Sequence, residues 1–346
     1  QLYASGGWRF AAGRPPAFRI GVRSARLEQL AAFAGDPDES ELAGIVDVEF
    51  TVHPGRVWRI GGTIATGQGE LSGVRFSGAR LPIDADWHPR SGRLRIRIPT
   101  VSISLAGGRL TGRLTAQRSA GWMLDGSFRF YRVDFVTLVR QFGSASQYGS
   151  GRLTGTLTLT GRNMRSINDL QGALVADLED TQAASLPVLS DLRGIIPGFS
   201  SGATRFQEGR IEARLARGVV TVQQLTLASS QLDIYITGTA NLSGRLNLEA
   251  VVYTGQQENP LLANYLLERL AAVAAPPVAL LAEANELLAN RVIRLQITGT
   301  INRPVIRVRP LEMLREEVIR YFLRRAAGAV IGNVAPIPAL ADEDRD

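Results

Sequence analysis

The chain has 346 residues, 45% of them hydrophobic and 21% charged, which excludes a disordered chain and allows a large core. It contains no cysteine, which excludes disulfides, thiolate metal ligands and a cysteine nucleophile. Its 39 basic residues are all arginine, and residues 1–150 carry the whole net charge of +7, because they hold 19 arginines against 12 acids.

The strongest pattern along the chain is an alternation of apolar and polar residues. In residues 46–52, valine or phenylalanine alternates with acidic residues and threonine, and in residues 93–98 arginine alternates with leucine or isoleucine. Such alternation is typical of half-buried antiparallel strands that have one apolar and one polar face. The pattern recurs at residues 101–105, 153–159, 225–227, 232–236, 246–248 and 293–297.

The segments between the predicted strands are short and rich in glycine and asparagine, as at residues 107–108, 149–151 and 241–244. Connections this short predict hairpins between successive strands. A parallel sheet would need a dozen or more residues for each crossover. The sequence therefore favours an antiparallel meander.

One stretch, Gly-Arg-Leu-Thr-Gly, occurs twice, at residues 108–112 and 151–155. Each copy begins a predicted strand directly after a glycine turn. Repetition at this spacing favours a supersecondary unit used more than once along an extended sheet. The alternative is coincidence, since leucine and threonine are common in strands.

Helices are predicted in a few places between the strands. Residues 260–290 predict two helices separated by Pro276-Pro277, and we expect this insertion to cap an open end of the sheet. Residues 311–327 predict an amphipathic helix that docks on the sheet, with an anionic membrane surface as the alternative contact. Its apolar face consists of Leu311, Leu314, Val318 and Phe322. Shorter candidate helices are residues 26–34, 135–142 and 184–195.

These patterns divide the chain into three parts. Residues 1–145 form an N-terminal β-rich segment, and residues 146–310 form a β-domain that contains the helical insertion. Residues 311–346 form the C-terminal amphipathic helix and a tail.

The motifs that resemble catalytic or metal sites are weak. The Gly-x-Ser-x-Gly stretch around Ser200 lacks a following helix and a later histidine, because His53 and His88 both precede it. Asp84 and Asp86 have no third ligand nearby in the sequence. We therefore expect no catalytic residue, no metal and no cofactor. We also expect no nucleic-acid partner, because the arginines alternate with aliphatic residues instead of clustering among aromatic ones.

A long antiparallel sheet has an apolar face that must be covered. The residues leave three possibilities open: the face packs against a second sheet, closes into a barrel, or curves and holds a ligand. In each case the aliphatic residues of the alternating segments lie on this face. We assign to it Leu153, Leu157, Leu159, Leu225, Leu227, Ile234, Ile236, Leu246 and Leu248.

The order of several segments resembles a known family. The run at residues 149–161 is followed by Ser-Ile-Asn-Asp-Leu-Gln-Gly at 166–172 and Phe-Gln-Glu-Gly-Arg-Ile at 206–211, and the order ends with Gly-Thr-x-x-x-Pro at 299–304. Over residues 145–310 this order resembles the C-terminal region of the AsmA-like proteins of Gram-negative-type envelopes. The other segments of the resemblance are residues 184–189, 225–230, 236–239 and 246–248.

The resemblance implies a mainly β fold, an elongated curved antiparallel β-sheet that forms a β-groove or half-pipe, with a few short helices and the C-terminal amphipathic helix. It implies a non-enzymatic envelope protein that contacts or transfers phospholipid and supports outer-membrane biogenesis. The nine aliphatic residues would then line the groove and contact phospholipid acyl chains, and a membrane surface or envelope proteins would be further partners. The alternative is a structural β-protein that assembles through edge strands and has no lipid role.

The resemblance also implies a location. The chain begins at Gln1, and its sequence contains no run of about 20 apolar residues that would predict a membrane span. We therefore expect a periplasmic protein that is anchored in the inner membrane through a segment absent from this chain.

Overall fold

One continuous β-sheet forms most of the described chain in the computed structural model. Its 16 strands lie side by side in the order in which they occur in the sequence, and every neighbouring pair is antiparallel. The residues described are 2–7, 17–26, 42–71, 74–134, 137, 151–182, 204–230, 232–254, 260–273, 275–289, 292–301, 303–310 and 313–327.

The first eight strands are β1 (Leu2–Gly7), β2 (Ala17–Arg26), β3 (Leu42–His53), β4 (Trp58–Leu71), β5 (Val74–His88), β6 (Arg93–Leu105), β7 (Gly108–Arg118) and β8 (Trp122–Asp134). The second eight are β9 (Arg152–Met164), β10 (Leu170–Gln182), β11 (Arg205–Ala216), β12 (Val219–Ala228), β13 (Asp233–Asn241), β14 (Arg245–Tyr253), β15 (Val292–Thr300) and β16 (Arg303–Arg309). A short 3₁₀ helix, Ile167–Asp169, lies between β9 and β10.

The sheet is open, because β1 and β16 lie at its two edges and pair with one neighbour each. The predicted fold class, a mainly β protein built on a curved antiparallel sheet with short helices, is confirmed. The sheet continues across the boundary predicted at residue 145, since β8 pairs directly with β9.

The two copies of Gly-Arg-Leu-Thr-Gly begin β7 and β9, which flank β8 on either side. The second glycine of each copy, Gly112 or Gly155, lies opposite a phenylalanine of β8. A Cβ atom at Gly112 would lie 2.6 Å from Cδ1 of Phe128, and one at Gly155 would lie 2.2 Å from the carbonyl oxygen of Val175. The repeat therefore places a residue without a side chain where neighbouring strands leave no space for one.

Three α-helices accompany the sheet among the residues that the structure describes. Helices α1 (Pro260–Ala271) and α2 (Val278–Ala289) lie in the connection between β14 and β15, so the prediction of two helices separated by prolines is confirmed. Helix α3 (Glu316–Ala326) follows β16 and begins later than predicted. None of the helices among the described residues is both long and apolar enough to cross a membrane.

The helices pack on a face of the sheet. Tyr235, Val251, Tyr253 and Val292 form one hydrophobic cluster with the apolar residues of α1, α2 and α3. These four residues alternate with the residues of the opposite, apolar face, so β13 to β15 are buried on both sides. The expectation that α1 and α2 cap an open end of the sheet is therefore wrong. The two helices instead cover the apolar residues on the outer side of β13 to β15.

Helix α3 docks as predicted. Leu314, Val318 and Phe322 are buried, and the ring of Phe322 lies 5.5 Å from that of Tyr253. Leu311 lies outside the described residues, as do residues 27–34, the helix predicted at 184–195 and Ser200. Of the helix predicted at 135–142, only Thr137 is described.

Candidate functional site

All nine aliphatic residues assigned to the apolar face lie on one face of the sheet. Directly paired residues of neighbouring antiparallel strands point to the same side, and two rows of such pairs cross the sheet. The first row is Val133, Leu153, Leu178, Gly209, Leu227, Ile234, Val252 and Ile293. The second row is Phe128, Leu157, Leu174, Ala213, Val222, Gly238, Leu248, Ile297 and Ile306. The remaining residues lie two positions from a member of a row along the same strand: Leu159, Leu225, Ile236 and Leu246.

Towards the C-terminal end this face is closely packed. Leu227 and Ile234 are 0% exposed, and Ile236 and Leu246 are also buried. They belong to one hydrophobic cluster whose described members come from β11 to β16 and the adjoining turns. These four side chains are therefore part of the core in this structure. We call this part of the apolar face the packed region.

Of the other candidates, Leu153 is buried in a second hydrophobic cluster formed by residues of β8 to β10, and the rest are more accessible. Leu157, Leu159, Leu225 and Leu248 are half-buried, whereas Leu153 is 8% exposed. Leu159 lies between Gly126 of β8 and Gly172 of β10, which have no side chains beside it. Contact between these residues and lipid stays a prediction.

The apolar face continues through the N-terminal strands, where many of its side chains are half-buried and Val52, Val101 and Phe130 are buried. Sequence reasoning did not select these residues, because the family resemblance begins near residue 145, although the same alternation marks them. We call this part of the apolar face the open region. It consists of Ile60, Ile64, Leu81, Ile83, Leu94, Ile96, Ile98, Leu110, Leu114 and Phe128.

The opposite face of the sheet carries polar side chains and ion pairs, both in the N-terminal strands and in β10 and β11. Arg97 lies 3.3 Å from Asp86 across the pair of β5 and β6. Arg210 lies 3.2 Å from Asp177 and 2.9 Å from Glu212. Burial opposes the charge of Arg210, but the two carboxylates outweigh it and raise the pKa of Arg210. These pairs therefore stabilise the polar face as structural contacts.

The weak motifs of the sequence gain no support from the geometry. Asp86 pairs with Arg97, and Asp84 lies directly opposite Arg97 in the register. His53 and His88 are the last residues of β3 and β5. Within the described parts of the chain, no group of three or more histidine, aspartate or glutamate residues is placed to hold a metal ion.

Fold and surface together define a class: a single-sheet antiparallel β-protein with one long apolar face, which is buried in clusters at β8 to β10 and β11 to β16 and half-buried along much of the rest. No protein-family model, curated protein or solved structure matches the chain.

Proposed function

We propose that this protein is a non-enzymatic, lipid-contacting protein of the cell envelope, and that the open region of its apolar face holds phospholipid acyl chains. The observation that carries the proposal is the continuity of the apolar face across the sheet, with half-buried aliphatic side chains from β4 to β9. Large accessible apolar surfaces in soluble domains mark binding sites for apolar partners or membranes.

The free energy available from burying an acyl chain on the open region is large. Each methylene transferred from water to an apolar surface gains about 0.8 kcal/mol, so a chain of about 16 carbons would gain roughly 12 kcal/mol before losses. A bilayer offers most of the same gain. The open region would therefore favour exchange of lipid with a membrane over tight capture.

The cellular setting belongs to the same proposal. The resemblance to the AsmA-like family supports a periplasmic location, an inner-membrane anchor outside this chain, and a role in outer-membrane biogenesis. A membrane surface or envelope proteins would then supply and receive the lipid.

Assembly through edge strands is the alternative function, and the edge strand β16 bears on it. This strand contains Pro304, which has no backbone N–H, together with Arg303, Arg307 and Arg309. Proline and charged residues on an edge strand disfavour pairing with another chain. The composition of β16 therefore disfavours assembly at this edge of the sheet.

Site-specific photo-crosslinking tests the proposal. A photoreactive amino acid replaces Leu157 or, as a matched control, Thr156, its neighbour on the opposite face of β9. Each variant is incubated with phospholipid vesicles and irradiated. We expect lipid adducts at position 157 and none at position 156. Equal labelling at both positions, or a lipid-free oligomer in native mass spectrometry, would overturn the proposal.

A further inference from the structure

A large cavity lies at the end of the sheet where β6 turns into β7. Its volume is about 1420 Å³, and residues from β3 to β9 line it. It lies at one end of the strands, beside the open region. Four arginines line it: Arg75, Arg109, Arg132 and Arg152.

The cavity joins the two faces of the sheet. Ser77, Ser104, Arg109 and Tyr131 line it and form one row of paired residues on the polar face. Phe76 also lines it and pairs with Leu105 on the apolar face. Since successive residues of a strand point to opposite faces, a cavity lined by both sets extends around the strand ends. A molecule in the cavity can therefore reach the apolar face.

A β-bulge shapes one wall. Tyr131 and Arg132 of β8 together oppose the single residue Thr154 of β9, and Arg132 adopts a positive φ of 51°. The N–H of Arg132 donates to Oγ1 of Thr154 over 3.1 Å. Bulges redirect side chains at the ends of sheets, and here both bulge residues line the cavity. Tyr131 is 61% exposed.

Some of the charged side chains that line the cavity have a partner, and others have no ion-pair partner among the described residues. Glu70 lies 3.7 Å from Arg75, and the carboxylate of Asp47 accepts the N–H of Ser24 over 2.8 Å. Arg109, Arg132 and Arg152 form no ion pair with any carboxylate of the described residues. Among the described residues these three guanidinium groups have no ion-pair partner, although Asp134 and Glu179 lie directly opposite Arg152 in the register. Guanidinium groups of this kind suit the oxygens of a phosphate group.

The cavity at the opposite end of the strands is different. Its volume is about 530 Å³, and its charged lining residues are Asp125 and Arg162. Of these two cavities, only the one at the β6–β7 end has more arginines than carboxylates in its lining.

We infer that the arginine-lined cavity binds the phosphate of a phospholipid headgroup while the acyl chains lie along the open region. The inference rests on the proposed function and adds to it the chemistry of the headgroup and one orientation of the lipid. The phosphate lies at the end of the sheet formed by the turn between β6 and β7, and the tails extend towards the other end of the strands.

Lipid binding by matched variants tests this inference. Arg109→Gln/Arg152→Gln removes two charges from the cavity, and Arg113→Gln/Arg129→Gln removes two exposed arginines from the same polar face outside it. Native mass spectrometry measures binding of phosphatidylglycerol and of diacylglycerol with the same acyl chains. Unlabelled glycerol 3-phosphate serves as a water-soluble competitor.

We expect the wild-type protein to prefer phosphatidylglycerol over diacylglycerol by about tenfold or more, because charge-assisted hydrogen bonds to phosphate are strong. The cavity variant should lose this preference and keep diacylglycerol binding, and the control variant should resemble the wild type. Equal binding of both lipids by the wild type would overturn the inference and leave the proposed function standing. Binding of neither lipid would overturn the proposed function. Displacement by glycerol 3-phosphate at equal concentration would assign the cavity to a free phosphate compound and overturn the inference.

Discussion

The guanidinium of Arg325 on α3 and the carboxylate of Asp233 at the start of β13 are joined by two hydrogen bonds of 3.1 Å each. Asp233 is 6% exposed. Burial raises the pKa of Asp233, although Arg325 and the N–H of Ser229 act in the opposite direction. The pair thus links the helices to the sheet at a site where a charge without its partner is costly.

We expect Arg325→Gln to lower the free energy of unfolding by about 3 kcal/mol, because it leaves the carboxylate of Asp233 buried without its cation. Urea unfolding followed by circular dichroism measures the change. Arg324→Gln removes an exposed arginine from the adjacent position and should change the stability little. The double variant Arg325→Gln/Asp233→Asn should recover part of the loss. An Arg325→Gln protein as stable as the wild type would show that the ion pair contributes nothing to the free energy of unfolding.

The glycines of the repeat should resist substitution. In Gly112→Ala the new Cβ would lie 2.4 Å from the carbonyl oxygen of Ser127, so we expect a loss of about 1–3 kcal/mol from overpacking. A Cβ at Gly67 meets no atom within 4 Å, and Gly67→Ala should be nearly neutral. Thermal unfolding compares the two variants. Equal melting temperatures would show that the strands around Gly112 adjust without strain.

A charge on the apolar face should act differently in its two regions. Ile234 is 0% exposed, and Ile234→Asp should unfold the sheet locally at a cost of more than about 4 kcal/mol. Leu157 is half-buried, so Leu157→Asp should leave a folded protein that binds less of a fluorescent fatty-acyl probe. Circular dichroism and probe titration measure the two effects. If Leu157→Asp unfolds the protein as completely as Ile234→Asp does, the face around Leu157 is core and no binding surface.

The stability of the turn between β9 and β10 should depend on pH. Hydrogen bonds from the N–H groups of Arg165 and Ser166, 2.8 and 3.1 Å long, lower the pKa of Asp169 below its ordinary value of 3.8. Since the folded pKa lies below the unfolded value, this contribution to stability is present above the unfolded pKa and is lost as the pH falls through the folded pKa. Amide chemical shifts of Arg165 and Ser166 should therefore titrate with a midpoint below 3.8.

The matched variant for this turn is Asp169→Asn, which keeps the size of the side chain and removes its titration. Its amide shifts at Arg165 and Ser166 should be flat over the same pH range. A wild-type midpoint at or above 3.8 would contradict the capping role of Asp169.

The strands could be predicted because alternation with a period of two is a local property. Residues 46–52 and 153–159 lie in β3 and β9 as expected, and the break at Pro276-Pro277 separates α1 from α2. The docking of α3 on the sheet was predicted, but the packing of α1 and α2 on the same face was not. The signal was present in the unbroken apolar run Ile234-Tyr235-Ile236, because a strand buried on both faces loses its alternation.

The candidate site could be predicted only in part. The face on which Leu157 and Ile234 lie follows from periodicity, but their different burial depends on how the strands pack in three dimensions. The arginine-lined cavity depends on the bulge at Arg132, where a non-glycine residue adopts a positive φ. No local pattern in the sequence marks that conformation, because the bulge arises from the pairing of β8 with β9.

The order of the strands has a consequence for the dimensions of the protein. Because each strand pairs with the strand next to it in the sequence, a hairpin added or removed between two neighbours leaves every other pairing unchanged. Adjacent strands are about 4.8 Å apart, so one additional hairpin would lengthen the sheet by about 10 Å. The span of such a protein can thus be adjusted in discrete steps by duplication or deletion of short coding segments, without redesign of the remainder.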